Sequence, residues 1–276
     1  MLYLCIAFRN KFAMEKHFCL DDSPMFRMIE LDEVDSTNNF LRHLDTPGDN
    51  RMTLVTAEFQ TAGRGADRNH WESAKGENLL LSLRVMPSNL PARRMFAISE
   101  VAALAVRESL ASQCSMFNVQ YSMFNVKWPN DIYFGDSKVA GILIENDLQG
   151  ALVQRSTIGI GININQRDFL SDAPNPRSLA DIVGHDVERR FVLEQFMESF
   201  THYFEQIETG NQEALDALHE QYKTHLYRLG EEHTYSDKDG TFRATLTDVE
   251  PSGYLVLRDT SGTLRHYAFK EVKFIL

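Results

Sequence analysis

The chain has 276 residues, 43% of them hydrophobic, with 39 Asp and Glu against 28 Lys and Arg and a net charge of −11. That length and apolar share suffice for one large domain, or one plus a small partner, and the acidic excess offers no broad basic field for nucleic acid or anionic membrane. Cys5, Cys19 and Cys114 are odd in number and widely spaced, which fits neither a disulfide framework nor a zinc pattern and suits free thiols in a reducing cytoplasm.

The first residues carry a short apolar run, Leu2 to Phe8, without preceding basic residues or a small-residue cleavage pattern, so a secretory signal is not expected. Residues 1–25 read as an extension outside the fold, with Met14 and Met25 as alternative starts. No later stretch approaches the roughly 18 consecutive apolar residues of a membrane span.

From Phe26 onward short β-rich runs alternate with helical periodicity, which argues for a mixed α/β or α+β domain. Strands are expected over Met28–Leu31, Leu54–Phe59, Leu79–Val85, Val139–Glu145 and Ile158–Ile164. One helix is expected to start at the N-capping residues Ser36 and Thr37, and another to run from Phe96 to about Ser112. A third covers about Val192 to Glu208, where Val192, Phe196, Phe200, Tyr203 and Ile207 recur at helical spacing as a core stripe. A direct repeat, SMFNV at Ser115–Val119 and again at Ser122–Val126, is too closely spaced for a solenoid and receives no function. After about Tyr227 the chain turns to short strands separated by Pro251-Ser252-Gly253 and Thr260-Ser261-Gly262, the pattern of a small β-barrel or sandwich of roughly fifty residues. A stabilising or interaction role, not a catalytic one, is the simplest expectation for it.

Three segments carry chemistry. In GRGADRNHW, Gly63 to Trp71, two glycines allow close backbone approach to a ligand, and Arg64 can grip an oxyanion. The third glycine of a dinucleotide fingerprint is missing, and no Walker loop is present. In VKWPNDIYFGDSKVAGILIE, Val126 to Glu145, Lys127 and Lys138 bracket a rigid turn containing Asn130 and Asp131, followed by Gly141. Such a set suits a nucleoside triphosphate with its magnesium, although taken alone a plain hairpin with solvated lysines is the preferred reading. In IGIGININ, Ile158 to Asn165, two glycines on one strand face leave space for a flat ligand or a close crossing, and an asparagine amide can pair with an adenine edge.

Taken in order, DSTNNFL (Asp35–Leu41), EFQTAGRG (Glu58–Gly65), Trp71, ENLLLSL (Glu77–Leu83), KWPNDIYF with KVAGILIE (Lys127–Glu145) and GIGININ (Gly159–Asn165) resemble the biotin protein ligases from about Phe26 to the end. The resemblance implies an α+β fold: a class II aminoacyl-tRNA synthetase-like catalytic domain with a mixed β-sheet over residues 26–226, then an SH3-like barrel over residues 227–276. It implies a reaction in which biotin and ATP, with Mg²⁺, give biotinyl-5′-adenylate, and a lysine of the biotin carboxyl carrier protein then takes the biotinyl group. By the same carry-over Arg64, Lys127 and Lys138 serve catalysis. Ser36, Thr37, Asn38, Gln60, Gly63, Arg64, Trp71, Lys138 and Gly141 bind biotin, while Arg64, Arg68, Lys127, Asn130, Asp131, Lys138 and Asn163 bind ATP or the adenylate, with Asn163 on adenine and the magnesium near Asp131. The glycine-arginine loop is expected to be disordered until both substrates arrive and then to cover the adenylate.

The chain departs from the resemblance in three places. Ala66, Asp67, Arg68 and Asn69 stand where relatives continue with further Arg and Gly, so a less cationic loop is expected. About 25 residues precede the catalytic domain, with no two-helix DNA-binding pattern, which implies a mono-functional ligase that binds neither nucleic acid nor membrane. Phe269-Lys270-Glu271-Val272 replaces a Gly-Glu-Val-type ending. The resemblance admits a homodimer through edge strands and a cytoplasmic location. The rivals are a lipoate or octanoate ligase or transferase of the same fold, and a non-catalytic biotin-binding module.

Overall fold

The computed structural model describes residues 26–45, 52–66, 69–116, 121–170 and 175–276. Its larger part is a seven-stranded mixed sheet built from β1 (Phe26–Val34), β2 (Met52–Gln60), β3 (Leu79–Val85), β4 (Phe124–Lys127), β5 (Asp131–Phe134), β6 (Ser137–Gln149) and β7 (Leu152–Ile162). The spatial order is β1-β2-β3-β7-β6-β5-β4; β1 and β2 run parallel and every other neighbouring pair antiparallel. β3, LLLSLRV, is buried along its whole length, as a central strand covered on both faces must be.

Helix α1 (Thr37–His43) lies against β2, β3 and β7, and α2 (Phe96–Met116) packs against α4 (Arg189–Ile207) and α5 (Gln212–Lys223). The five stripe residues Val192, Phe196, Phe200, Tyr203 and Ile207 are all buried, and Phe200 stacks on Phe204 at 5.8 Å between ring centroids. The short α3 (Leu179–Val183) opens on Ser178, whose Oγ accepts from Asp181 N at 3.2 Å, and closes on Gly184 with φ +87°, a left-handed cap that a side chain would strain.

The C-terminal module is a five-stranded antiparallel sheet of β8 (Glu232–Asp237), β9 (Gly240–Val249), β10 (Leu255–Asp259), β11 (Leu264–Tyr267) and β12 (Lys273–Phe274), ordered β11-β10-β9-β8-β12. Tyr235, Phe242, Tyr267 and Phe274 form its aromatic core. The expected α+β class, with a large mixed sheet and a separate terminal β unit, is the architecture found.

Several element limits differ from the sequence expectation. β1 and β2 are longer than expected, β6 extends from Ser137 to Gln149, and β7 begins at Leu152 and ends at Ile162, leaving Asn163 and Ile164 outside it. VKWPNDIYF forms the β4–β5 hairpin, and the second SMFNV copy runs into β4. The first copy begins in the last turn of α2, and residues 117–119 lie outside the described residues, as do residues 1–25 with Cys5 and Cys19. Cys114 is buried, and burial pushes its thiol up to about 11. Helix α5 was not foreseen: Asn211 caps it by accepting from Ala214 N at 3.1 Å, and it buries only Leu215, Leu218, His219 and Tyr222.

Candidate active site

A cleft of about 610 Å³ opens over one face of the mixed sheet, bounded by α1, residues 64–66 and 69–71, the β4–β5 hairpin and the end of the C-terminal module. Its floor follows from cross-strand register. Asp131, Gly141 and Gly161 are successive partners on β5, β6 and β7, and two residues along the same face Gly159 pairs with Leu143 and Ser82.

The glycines are required by what lies on them. A Cβ on Gly161 would stand 2.2 Å from Trp71 Cε2, and one on Gly141 2.9 Å from Trp71 Cζ3, so the indole lies flat on this strip. A Cβ on Gly159 would stand 2.4 Å from Asn38 Oδ1. The space left by the IGIGI glycines is therefore taken by two side chains, not by a crossing backbone. Trp71 Nε1 is buried with no acceptor among the described residues.

At one end of the cleft the walls are polar and ordered. The backbone N–H of Thr37 donates to Gln60 Oε1 at 2.7 Å and its hydroxyl to the same oxygen at 3.1 Å. Ser82 Oγ lies 2.7 Å from Thr37 Oγ1 and 2.5 Å from Asn38 Oδ1, fixing both from beneath. Ser36, Thr37 and Asn38 are all buried, and Ser36 initiates α1 without a side-chain cap bond, so its hydroxyl is not used as a helix cap.

Arg64 sits beside this end. Its guanidinium donates to Asn39 Oδ1 at 2.9 Å and forks onto Glu145, with Nη2 to Oε1 at 3.0 Å and Nη1 to Oε2 at 3.3 Å. Glu145 also accepts from Arg42 at 3.1 Å and from Asn38 at 3.4 Å. Across the loop Gly65 N donates to Asn69 O at 2.8 Å and Trp71 N to Gly63 O at 3.0 Å, so the described flanks are paired as a hairpin. Gly63 permits this approach, since a Cβ there would stand 2.6 Å from Trp71 O. Asp67 and Arg68 lie outside the described residues.

The other end gathers the lysines. Lys138 Nζ meets Asp131 Oδ1 at 2.7 Å and lies 5.7 Å from the centre of the Trp71 ring. Lys127 Nζ stands 5.1 Å from the centres of both the Tyr133 and Phe274 rings. Burial pushes the Lys127 ammonium below the usual lysine range, against the pull of Asp131 and with help from Lys138 and Arg228. Asn130 lines the cleft, but its Nδ2 donates to Ile142 O at 2.5 Å, tying the hairpin turn to β6.

Most of the expected site residues thus come together: Ser36, Thr37, Asn38, Gln60, Arg64, Trp71, Lys127, Asn130, Asp131, Lys138 and Gly141 share one cleft. Asn163 is not among the lining residues; it is buried just after β7, with Nδ2 on Arg177 O at 3.4 Å. Sequence reasoning missed Ser82 and Glu145, which hold the lining residues Thr37, Asn38 and Arg64, and the module residues Phe269, Lys270, Lys273 and Phe274, which wall the cleft. Ser82 had a signal as the polar break in an apolar strand, whereas the module's part in the cleft had none.

Residues 31–163 match the model of the biotin/lipoate A/B protein ligase family. The chain carries a domain of this family. It is 29% identical over 237 residues to a biotin--[acetyl-CoA-carboxylase] ligase of Paracoccus denitrificans, covering 84% of this chain and 94% of that one. It is 28% identical over 244 residues to the bifunctional ligase/repressor BirA of Bacillus spizizenii, covering 87% of this chain and 72% of that protein. In structure it resembles a biotin protein ligase from Aquifex aeolicus solved in complex with biotin and ATP, with a TM-score of 0.70, 25% identity, and coverage of 90% of this chain and 99% of the other. The fold is therefore that of the biotin protein ligases.

Proposed function

We propose that this chain is an ATP-dependent biotin protein ligase that activates biotin as biotinyl-5′-adenylate and transfers it to a lysine of a biotin carboxyl carrier protein. The observation that carries the reading is the polarity of the cleft: a buried hydroxyl and amide end, a flat indole floor and a lysine end, in one continuous volume. A bicyclic ureido ring offers donors and acceptors to the remaining hydrogen-bonding capacity of Thr37, Asn38 and Gln60, and a ligand without them takes that capacity out of water without a partner. Trp71 supplies the apolar wall, and its orphaned Nε1–H is a donor that a ligand atom can satisfy.

In the first step the biotin carboxylate attacks the α-phosphorus of ATP and pyrophosphate leaves. Negative charge gathers on the non-bridging oxygens, and preorganised cations there lower the barrier. Lys138 bridges the carboxylate and α-phosphate from its place above Asp131, and Lys127 faces the phosphate chain. Arg64, held by Glu145 and Asn39, secures the loop against the biotin end. In the second step the neutral amine of the acceptor lysine attacks the activated carbonyl, AMP departs, and the amine loses its proton.

Magnesium fits this donor set as an ion carried by the triphosphate. Among the described residues no group of three or more His, Cys, Asp or Glu gathers to hold one, and Asp131 Oδ1 is engaged by Lys138. When bound, the ion would neutralise phosphate charge, and Asp131 would be the side chain to meet its hydration shell.

The domain division at residues 226 and 227 belongs to this reading, as do a cytoplasmic location and a homodimer paired through sheet edges. No described helix is long and apolar enough to cross a membrane. The test is transfer itself: the enzyme with ATP, Mg²⁺ and an isolated carrier domain, with product mass read after separate incubation with biotin and lipoate. Addition of one biotinyl group, absent when the acceptor lysine is replaced by arginine, supports the reading; lipoyl addition alone overturns it.

A further inference from the structure

The two lysines of the cleft are held by different means. Lys138 has a carboxylate at 2.7 Å, whereas Lys127 has no ion-pair or hydrogen-bond partner among the described residues. What locates its ammonium is a pair of rings, Tyr133 from β5 and Phe274 from β12, each with its centre 5.1 Å away. One ring belongs to the catalytic sheet and the other to the C-terminal module, 147 residues further along the chain (274 − 127).

Phe274 is itself fixed. Its ring meets Tyr235 edge-on at 5.1 Å in the module's aromatic core, and its backbone is registered against the same tyrosine. The strand end is tied on both sides, by Ile275 N to Thr234 O at 3.1 Å and by Arg228 Nη1 to Ile275 O at 3.1 Å. The module is tied to the hairpin turn as well, through Trp128 Nε1 donating to Gly253 O at 3.0 Å. A ring held this firmly is a platform, and an ammonium over an aromatic face is attracted without having its charge neutralised, as a carboxylate would do. That suits a cation reserved for phosphate.

We propose that Phe274 is a positioning residue for Lys127, holding its ammonium between two aromatic rings at the place where the phosphate chain of ATP is activated. The proposal rests on the ligase reading above. The charged or titratable groups acting on Lys127 are Asp131 and Tyr133 on β5, Lys138 on β6 and Arg228 before β8, while Lys270 and Lys273 line the same cleft.

The experiment is biotin-dependent exchange of pyrophosphate into ATP across pH 6 to 10, alongside thermal unfolding, for the full chain and for Phe274→Met, Phe274→Tyr and Lys127→Met. Phe274→Leu supplies a second non-aromatic replacement if the methionine variant does not fold. Phe274→Met is expected to lower exchange about tenfold and raise KM for ATP while KM for biotin stays put, and Phe274→Tyr to restore exchange to within about threefold. Losing the ring admits water to the ammonium, so the alkaline limb of the profile moves to higher pH, a change that a purely structural contact does not produce. Wild-type exchange and an unmoved limb in Phe274→Met, with exchange lost in Lys127→Met, overturn the positioning role alone. Full exchange in Lys127→Met overturns the role of Lys127, and the proposal with it.

Discussion

The Lys138 ammonium lies 2.7 Å from Asp131 Oδ1, across two neighbouring strands of the cleft floor. The pair is about one-fifth exposed on each side, so it is screened less than a surface bridge yet remains open to a ligand that can exchange for the carboxylate. Lys138→Ala is expected to reduce biotin-dependent exchange by about 100-fold or more, in line with losing one preorganised transition-state contact. Asp131→Asn keeps the lysine but frees it, and a loss of about tenfold, chiefly in KM for ATP, is expected from steady-state kinetics.

Gly161 and Trp71 form a second coupled pair. The Cβ of Gly161→Ala would stand 2.2 Å from the indole, so the ring has to move off the floor. Affinity for biotin, measured by titration calorimetry, is expected to fall at least about tenfold, or ~1.4 kcal/mol. Adding Trp71→Leu to Gly161→Ala makes room again, so the double variant is expected to lose less than the two single losses combined.

Glu145 anchors Arg64 and Arg42 together, which makes Glu145→Gln a test of loop positioning rather than of folding. Exposed or half-exposed ion pairs contribute only about 0–1 kcal/mol to stability, so the melting temperature should barely move. KM for biotin is expected to rise about three- to tenfold as Arg64 loses its charged fork.

Glu100 gives a stability prediction. It is buried between α2 and α5 with Oε1 2.5 Å from His219 Nδ1, and burial holds its carboxyl above the ordinary value of 4.5 despite His219, Arg94 and Lys223. Because its folded pKa is raised, the folded state binds more protons than the unfolded one above pH 4.5. This group's contribution to stability therefore falls as pH rises from the unfolded value through the folded one. In Glu100→Gln that slope is removed, so the difference in urea midpoint between variant and wild type should move in the variant's favour from pH 5 to pH 7.5.

Local signals carried much of the account. The largely apolar run Leu79–Val85, interrupted by Ser82 and Arg84, is β3 to the residue, Phe96 is the first residue of α2, and the stripe Val192, Phe196, Phe200, Tyr203 and Ile207 is wholly buried, because burial of these segments depends on their own composition. Helix α5 escaped because only Leu215, Leu218 and Tyr222 stand out from charged neighbours, and its burial depends on Phe96, edge-on to Tyr222 at 5.6 Å. In the site, small residues at Gly141, Gly159 and Gly161 announced a close approach, but not that Trp71 and Asn38 make it. Pairings such as Arg64 with Glu145, or Lys127 with Phe274, join residues far apart in the chain through the tertiary fold, so no spacing rule points to them. Asn163, a residue type suited to adenine, has its amide on the Arg177 carbonyl at 3.4 Å just after β7.

The most direct measurement is biotin-dependent exchange of labelled pyrophosphate into ATP by wild type and Lys138→Ala, with lipoate and octanoate in parallel. Exchange with biotin alone, abolished in the variant while its fold persists, is the predicted result and places Lys138 in the first half-reaction. Exchange that survives in the variant contradicts the assigned chemistry, and exchange with lipoate but not biotin contradicts the substrate.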